Sequence, residues 1–261
     1  MTAPKKSLGQ HWLKDPNFLN EIANEAGLNK SDTVLEIGPG LGTLTSRLLK
    51  RAKRVVAVEL DEDLAKKLPG QFPGASLEVI NQDILKFDLR TLPKNYVVVA
   101  NVPYYITSKI IRMLTTAANK PRTIVLLVQK EVAERIAAEP GDMSILAVSA
   151  QLYSEVRLGA VVPAAFFTPP PKVDSQVVVL QIRPAPLISS SQEKEFFRII
   201  KAGFSAKRKK LRSSLASGLQ LPKTLIESAL IGVGASADNR AEQLSLEQWI
   251  DLQRSLLPHL K

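Results

Sequence analysis

Short apolar runs alternate with amphipathic stretches along most of the chain. Seven runs have the length and the β-branched composition of strands, and they cover residues 33–37, 55–58, 77–80, 96–100, 123–128, 156–162 and 176–182. A first helix precedes these runs, with Asp15 as its cap and Pro16 at the first helical position, and helical periodicity also follows most of the early runs. Because strand and helix repeat with short connections, the pattern predicts a mostly parallel sheet. The last two runs predict an antiparallel hairpin.

The pattern changes near residue 185. Residues 184–186 (Pro-Ala-Pro) and 189–191 (three serines) have the composition of a linker, and the apolar positions beyond it follow a helical period. A length of 261 residues suits one large domain with a smaller appendage. The sequence therefore predicts an α/β domain over 1–185 and a small all-α domain over 192–261.

The predicted strands end in polar or glycine-rich residues. Strand 33–37 runs into Gly38-Pro39-Gly40-Leu41-Gly42 and then a helix, so the backbone can approach a ligand there. The spacing is G-x-G-x-G, which differs from the dinucleotide fingerprint G-x-G-x-x-G/A. Glu59 ends the next strand, where a carboxylate can accept from both ribose hydroxyls, and Asp83 follows the third strand, within reach of an adenine amino group. Together these residues predict a nucleoside site.

The tetrapeptide Asn101-Val102-Pro103-Tyr104 follows the fourth strand. The exocyclic amine of a base donates two hydrogens, and the Asn101 side-chain carbonyl and the Val102 main-chain carbonyl offer two acceptors. Pro103 stiffens the turn that aims the Val102 carbonyl. Tyr104 offers a stacking face worth roughly 1–3 kcal/mol. The tetrapeptide predicts a site for an amino-bearing base, and an ordinary strand-ending turn is the alternative.

Two further segments contain apolar and aromatic residues outside the regular pattern. Phe166 and Phe167 precede three successive prolines, which forbid helix and predict a stiff loop that forms a wall of the target pocket. A rigid connector is the alternative. The basic N-terminal arm, residues 4–13, includes Leu8, Trp12 and Leu13 and is apolar enough to dock elsewhere, although a frayed terminus fits it too.

Charge points to a polyanionic partner. Lysine and arginine number 35 against 25 acidic residues, a net charge of +10, which suits nucleic acid first and a membrane surface second. One basic run in the helical region is a candidate phosphate-binding segment, and it consists of Lys207, Arg208, Lys209, Lys210 and Arg212. A solvated face is the alternative for such a run.

The amino-acid composition argues against several kinds of catalytic and metal-binding site. The chain has no cysteine and only two histidines, which removes disulfides and thiol catalysis and predicts no metal centre. No apolar run reaches about 18 residues and the N-terminus lacks an apolar leader. We therefore expect a cytoplasmic protein without membrane attachment.

Seven motifs in order resemble one family, the ribosomal RNA adenine dimethyltransferases of the KsgA/RsmA type. They are residues 6–13 (KSLGQHWL), 36–42 (EIGPGLG), 58–59 (VE), 82–83 (QD), 101–104 (NVPY), 167–175 (F-x-P-x-P-x-V-D-S) and 240–244 (RAEQL). The resemblance spans almost the whole chain. Three positions depart mildly from the family pattern, because His11 stands where Asn is also common, Trp12 replaces a usual Phe, and Val102 stands where Leu is usual.

The resemblance implies a Rossmann-like fold and S-adenosylmethionine as methyl donor. It implies transfer of two methyl groups to N6 of each of two adjacent adenines near the 3′ end of small-subunit rRNA, within pre-30S particles. We expect a monomer because nothing in the sequence indicates an oligomer. By position, the residues that would line the methyl-donor site are His11, Leu13, Gly38, Gly40, Glu59, Asp83 and Asn101. Asn101 and Val102 would orient the amine for direct in-line transfer, while Tyr104, with Phe166 or Phe167, would stack on the extruded adenine.

Other functions share parts of this pattern. The macrolide-resistance methylases of large-subunit rRNA have the same core motifs, and DNA adenine methyltransferases have a related tetrapeptide. A ribosome-assembly factor whose main role is binding would depend more on the basic run than on Asn101. A dinucleotide-binding module leaves the residues 101–104 unexplained.

Overall fold

The computed structural model describes residues 4–5, 8–102 and 106–260. The strands and α-helices in chain order are β1 Trp12–Leu13, α1 Pro16–Glu25, β2 Thr33–Ile37, α2 Thr45–Leu49, β3 Arg54–Glu59, α3 Glu62–Lys67, β4 Leu77–Asn81, β5 Val97–Asn101, α4 Thr107–Thr116, β6 Thr123–Gln129, α5 Lys130–Ile136, α6 Ile145–Gln151, β7 Ser154–Val162, β8 Phe167–Thr168, β9 Ser175–Ile182, α7 Ser190–Gly203, α8 Leu211–Leu219, α9 Lys223–Gly232 and α10 Leu246–Leu256.

The chain divides into two compact units. The first comprises residues up to 134 together with 154–183, and the second comprises 135–153 together with 184–261. The sequence analysis placed 135–153 in the α/β domain, whereas its contacts are with the C-terminal helices. The physical reason is apolar burial, because Ala147 and Val148 of α6 belong to the helical core.

A seven-stranded sheet forms the first unit, in the order β4-β3-β2-β5-β6-β9-β7. The strands from β4 to β6 pair in parallel, and β9 pairs antiparallel with both β6 and β7. This arrangement confirms the mostly parallel sheet and its antiparallel final pair. A separate two-stranded ladder joins β1 of the arm to β8.

The centre of the sheet is buried on both faces. Val97 and Val99 of β5 pack with α1 and α2 in one apolar core, and Val98, which points to the opposite face, is also inaccessible. A strand buried in this way needs apolar residues at every position, which explains the unbroken run that precedes Asn101. The sheet thus holds the ends of β2, β3 and β5 in fixed positions.

The second unit is helical. Helices α6 to α10 contribute to one core in which Phe196, Leu215 and Trp249 are fully buried. The rings of Phe204 and Trp249 stack with their centroids 5.6 Å apart. Within the described part of the chain, no helix is long and apolar enough to cross a membrane.

Candidate active site

A cavity lies at the carboxyl ends of β2, β3 and β5, where parallel strands of an open sheet present their ligands. It brings together the residues predicted for the methyl-donor site and Val102, whereas Phe167 and the basic run do not line it. The residues brought together are His11, Leu13, Gly38, Gly40, Glu59, Asp83, Asn101 and Val102. Residues 8–13 of the arm form one side of this cavity.

The glycine turn after β2 depends on backbone angles that side chains disfavour. Gly38 has φ of +66° and Gly40 has φ of +57°. A Cβ atom at Gly40 would also lie 3.2 Å from Nε1 of Trp12. The turn therefore needs glycine at residue 40 for its angle and for the close approach of the arm.

Glu59 ends β3 with its carboxylate held by main-chain groups. Gly40 N–H donates to Oε2 at 3.0 Å, and Asp61 N–H donates to Oε1 at 2.9 Å. Burial raises the pKa of Glu59, while the two main-chain donors oppose that effect. Each oxygen keeps one further lone pair, so the carboxylate can accept from two adjacent hydroxyls.

Glu36, inside β2, is a cavity residue that sequence reasoning did not single out. Its residue surface is 1% exposed, and neither carboxylate oxygen has a hydrogen-bond partner within the described residues. Burial raises its pKa to about 8; the nearby hydroxyl and main-chain N–H of Thr45 act to lower it, and the charge of Glu59 acts to raise it. One signal in the sequence could have identified Glu36, because it is an acidic residue in a strand that is otherwise buried on both faces. Burial of a carboxylate without a partner is energetically costly.

Asp83 follows β4 and faces the same cavity. Its Oδ1 accepts from Leu85 N–H at 3.0 Å, which caps a short helical turn. This bond fixes the side chain and leaves Oδ2 as an acceptor. The placement fits the predicted contact with an amino group.

Asn101 connects the sheet to the arm. Its Nδ2 donates to the main-chain carbonyl of His11 at 3.1 Å. Since the amide nitrogen is oriented by that bond, Oδ1 is the acceptor that Asn101 can offer to a second group. Val102 is 2% exposed and lines the cavity beside it, while Pro103 and Tyr104 lie outside the described residues.

The arm is fixed at several points along its length. His11 Nδ1–H donates to the carbonyl of Pro169 at 2.7 Å, and Thr43 Oγ1–H donates to the carbonyl of Leu13 at 3.0 Å. Trp12 and Leu13 pair with β8, and both are buried. The arm therefore docks on the first unit, and the frayed-terminus interpretation is wrong for residues 8–13.

The two phenylalanines of the proline loop differ in exposure. Phe167 is 3% exposed and belongs to the core that contains Leu13, and it is not among the residues that line the cavity. Phe166 is 41% exposed and meets the Phe18 ring edge-on at 5.0 Å between centroids. The stacking role of Phe167 stays a prediction, since its ring has no exposed face in this conformation.

The basic run occupies the segment that leads into α8. Lys207, Arg208 and Lys209 are exposed. Lys210 pairs with Asp238 at 2.7 Å, and Arg212 pairs with Glu227 at 2.7 Å. The first three cations are thus the ones most available to an external phosphate.

Comparison with known proteins gives a consistent result. The family model described as "Ribosomal RNA adenine dimethylase" matches residues 1–256. A protein of Dehalococcoides mccartyi (strain CBDB1) named "Ribosomal RNA small subunit methyltransferase A" is 44% identical over 94% of this chain and 86% of its own length. A Bacillus cytotoxicus protein of the same name is 39% identical over 98% of this chain and 92% of its own.

Two solved structures share the whole fold. A dimethyladenosine transferase from Plasmodium falciparum superposes with a TM-score of 0.83 at 29% identity, covering 95% of this chain and 98% of that one. The 23S rRNA methyltransferase ErmE superposes with a TM-score of 0.80 at 30% identity, covering 94% and 99%. Since the family model and the relatives cover nearly the full length, the chain belongs to the ribosomal RNA adenine dimethylase family.

Proposed function

We propose that this protein transfers methyl groups from S-adenosylmethionine to N6 of two adjacent adenosines near the 3′ end of 16S rRNA, in precursors of the small ribosomal subunit. The observation that carries the proposal is the meeting of Asn101 with Glu59 and Asp83 in one cavity. Glu59 and Asp83 suit a nucleoside, and Asn101 suits an amino group.

The cavity residues fit the chemistry of the methyl donor. Glu59 offers two oxygens already oriented by main-chain N–H groups, which suits the two ribose hydroxyls. Asp83 offers an acceptor for the amino group of the adenine. The orphaned, buried carboxylate of Glu36 suits a positively charged ligand, because a nearby cation stabilises its ionised form. S-adenosylmethionine carries positive charge as well as an adenosyl group.

The target amine is proposed to bind at the end of β5. Asn101 Oδ1 and the main-chain carbonyl of Val102 would accept its two hydrogens and so orient the nitrogen lone pair. When bound, S-adenosylmethionine supplies an electrophilic methyl group. The protein's contribution is then mainly positioning, which can lower a barrier by several kcal/mol. Tyr104 is proposed, from the sequence alone, to stack on the extruded base. Of the two rings predicted for the other side of the base, Phe166 is exposed, whereas Phe167 would have to leave its buried position.

The rRNA partner is proposed from three observations. The relatives at 39% and 44% identity are named as small-subunit rRNA methyltransferases. The chain carries a net charge of +10, and Lys207, Arg208 and Lys209 are exposed. We propose that these cations, assisted by Lys210 and Arg212, contact phosphates of the rRNA. A monomer acting in the cytoplasm completes the proposal.

The large-subunit alternative rests on one observation, the TM-score of 0.80 to the 23S rRNA methyltransferase ErmE at 30% identity. A shared fold accounts for this match, because the superposition covers 94% of this chain and 99% of that one. The small-subunit relatives at 38–45% identity favour the small subunit as substrate.

The proposal is tested by measuring transfer of label from S-adenosylmethionine to undermethylated small subunits. The native protein should transfer label to the rRNA, and Asn101→Ala should bind the particles with unchanged affinity but transfer label slowly. Tight binding by the native protein without any transfer would leave only the assembly-factor function. Equal transfer by both proteins would remove Asn101 from the reaction.

A further inference from the structure

Asp61 lies two residues beyond Glu59 and binds two residues of the arm. Lys5 Nζ donates to Asp61 Oδ1 at 2.9 Å, and Gln10 Nε2 donates to Asp61 Oδ2 at 3.1 Å. Gln10 Oε1 in turn accepts from the Lys5 main-chain N–H at 2.8 Å. Asp61, Lys5 and Gln10 are therefore mutually connected, and we term these three residues the arm anchor. Lys5 Nζ also donates to Asp63 Oδ2 at 3.1 Å.

The arm anchor is joined to the cavity through the main chain. Asp61 N–H donates to Glu59 Oε1, so the residue that holds the arm also holds the predicted ribose ligand. Gln10 itself lines the cavity, whereas Lys5 and Asp61 do not. A change at Lys5 can therefore reach a bound molecule only indirectly, through the arm or through Asp61 and its bond to Glu59.

The burial of Asp61 makes its ion pair with Lys5 important to the arm anchor. Its side chain is fully buried, whereas that of Lys5 is 43% exposed. Burial acts to raise the pKa of Asp61, but the bonds from Lys5 and Gln10 outweigh it and leave the pKa below its usual range. A buried carboxylate that lacks its cation is costly, so the Lys5 contact is more valuable than an ordinary surface pair.

We propose that Asp61 is a positioning residue for the methyl donor, because with Lys5 and Gln10 it fastens the arm across the cavity and slows exit of the bound molecule. The inference rests on the proposed use of this cavity for S-adenosylmethionine. It assigns Asp61 a role distinct from that of Glu59, which would contact the ligand directly. Opening of the anchor would precede exchange of the spent product.

Lys5→Met tests the anchor from outside the cavity. It keeps the length of the side chain and removes its charge. The matched control is Lys66→Met, which removes one exposed cation from nearby α3, where Lys66 pairs with Glu62. The measurement is the dissociation rate of S-adenosylhomocysteine, the demethylated product, by stopped-flow competition at low and high salt.

Lys5→Met should release the product about three- to tenfold faster than the native protein, and Lys66→Met should match the native rate. Salt should accelerate release from the native protein more than from Lys5→Met, since only the former has an ion pair to screen. Asp61→Asn, which keeps the main-chain bond to Glu59, should also release product faster than the native protein, but no faster than Lys5→Met, because Asp63 still accepts from Lys5.

Equal release rates for the native protein and Lys5→Met at both salt concentrations would overturn the inference. Failure of the native protein to bind S-adenosylhomocysteine at all would instead overturn the proposed function. Hydrogen exchange of the amides of residues 8–13 separates a local effect from a structural one. The anchor requires faster exchange there in Lys5→Met, with unchanged exchange in β5.

Discussion

The side chain of Asn101 donates to the main-chain carbonyl of His11, which joins the end of β5 to the arm 90 residues away in sequence. The bond orients the amide so that Oδ1 remains for the substrate amine. Replacing Asn101 by Ala removes this acceptor and leaves the strand intact. We expect methyl transfer in a single turnover to slow by about 10²–10³-fold, as for loss of one preorganised polar group.

Asn119→Ala is the matched control for Asn101→Ala. The Asn119 side chain donates to the carbonyls of Leu89 and Leu92 and does not line the cavity. Its loss should lower the free energy of unfolding by about 1–3 kcal/mol while the transfer rate is preserved. A slower rate in both variants would show that the effect of Asn101 is structural.

Glu59→Gln should weaken methyl-donor binding. An amide cannot accept on both sides, so its NH₂ group would oppose the N–H of Gly40 or of Asp61. Loss of charge-assisted bonds worth about 1.5–3 kcal/mol each corresponds to an affinity loss of at least about tenfold, measurable by titration calorimetry. Glu78→Gln on β4, whose partner is the exposed Arg54, should bind as the native protein does. Unchanged affinity in Glu59→Gln would exclude it from the ribose role.

Glu36 should make stability depend on pH. Its folded-state pKa is about 8, above an unfolded value of about 4.3, so the folded state binds the proton more tightly. The contribution of this group is complete below the unfolded value and is lost as the pH rises towards 8. The slope is at most about 1.4 kcal/mol per pH unit. Urea unfolding between these limits should show a shallower loss of stability in Glu36→Gln.

The same residue should link methyl-donor binding to proton release. A positively charged ligand favours the ionised carboxylate, so binding at pH 7 should release a proton from Glu36. Calorimetry in buffers of different ionisation enthalpy measures that proton directly. Proton release of equal size in Glu36→Gln would assign it to another group.

The basic run should determine part of the salt dependence of rRNA binding. Replacing Lys207, Arg208 and Lys209 by Gln should reduce the slope of log K against log salt by about 2, at about 0.7 per lost phosphate contact. The control replaces Lys194, Lys201 and Lys223, which are also exposed cations of the helical unit. An identical slope in both triple variants would indicate a diffuse effect of net charge.

Sequence patterns located the strand ends because the signal is local. Gly38, Glu59, Asp83 and Asn101 each follow an apolar run, and parallel strands bring such positions to one edge. Glu36 lies inside its apolar run and not at the end of it, so the same signal does not identify it. The arm anchor joins Lys5 to Asp61, 56 positions apart, and no periodicity reports a contact of that separation.

The boundary between the two units was less accessible to sequence reasoning. Prolines and serines near residue 185 mark one point at which the chain passes from the first unit to the second. Residues 135–153 also belong to the helical unit, so the chain enters that unit once before. That earlier passage lies within α5, between residues 134 and 135, and the Pro-Gly pair at 140–141 that follows is typical of an ordinary turn. The packing of α6 residues such as Ala147 and Val148 reveals the boundary.

The most direct test of the central claim compares three substrates with one labelled methyl donor: undermethylated small subunits, naked large-subunit rRNA and duplex DNA. Nucleoside analysis then identifies the product. The proposed function requires N6,N6-dimethyladenosine from the small subunits alone. Label in the large-subunit rRNA or in DNA, with none in the small subunits, would contradict it.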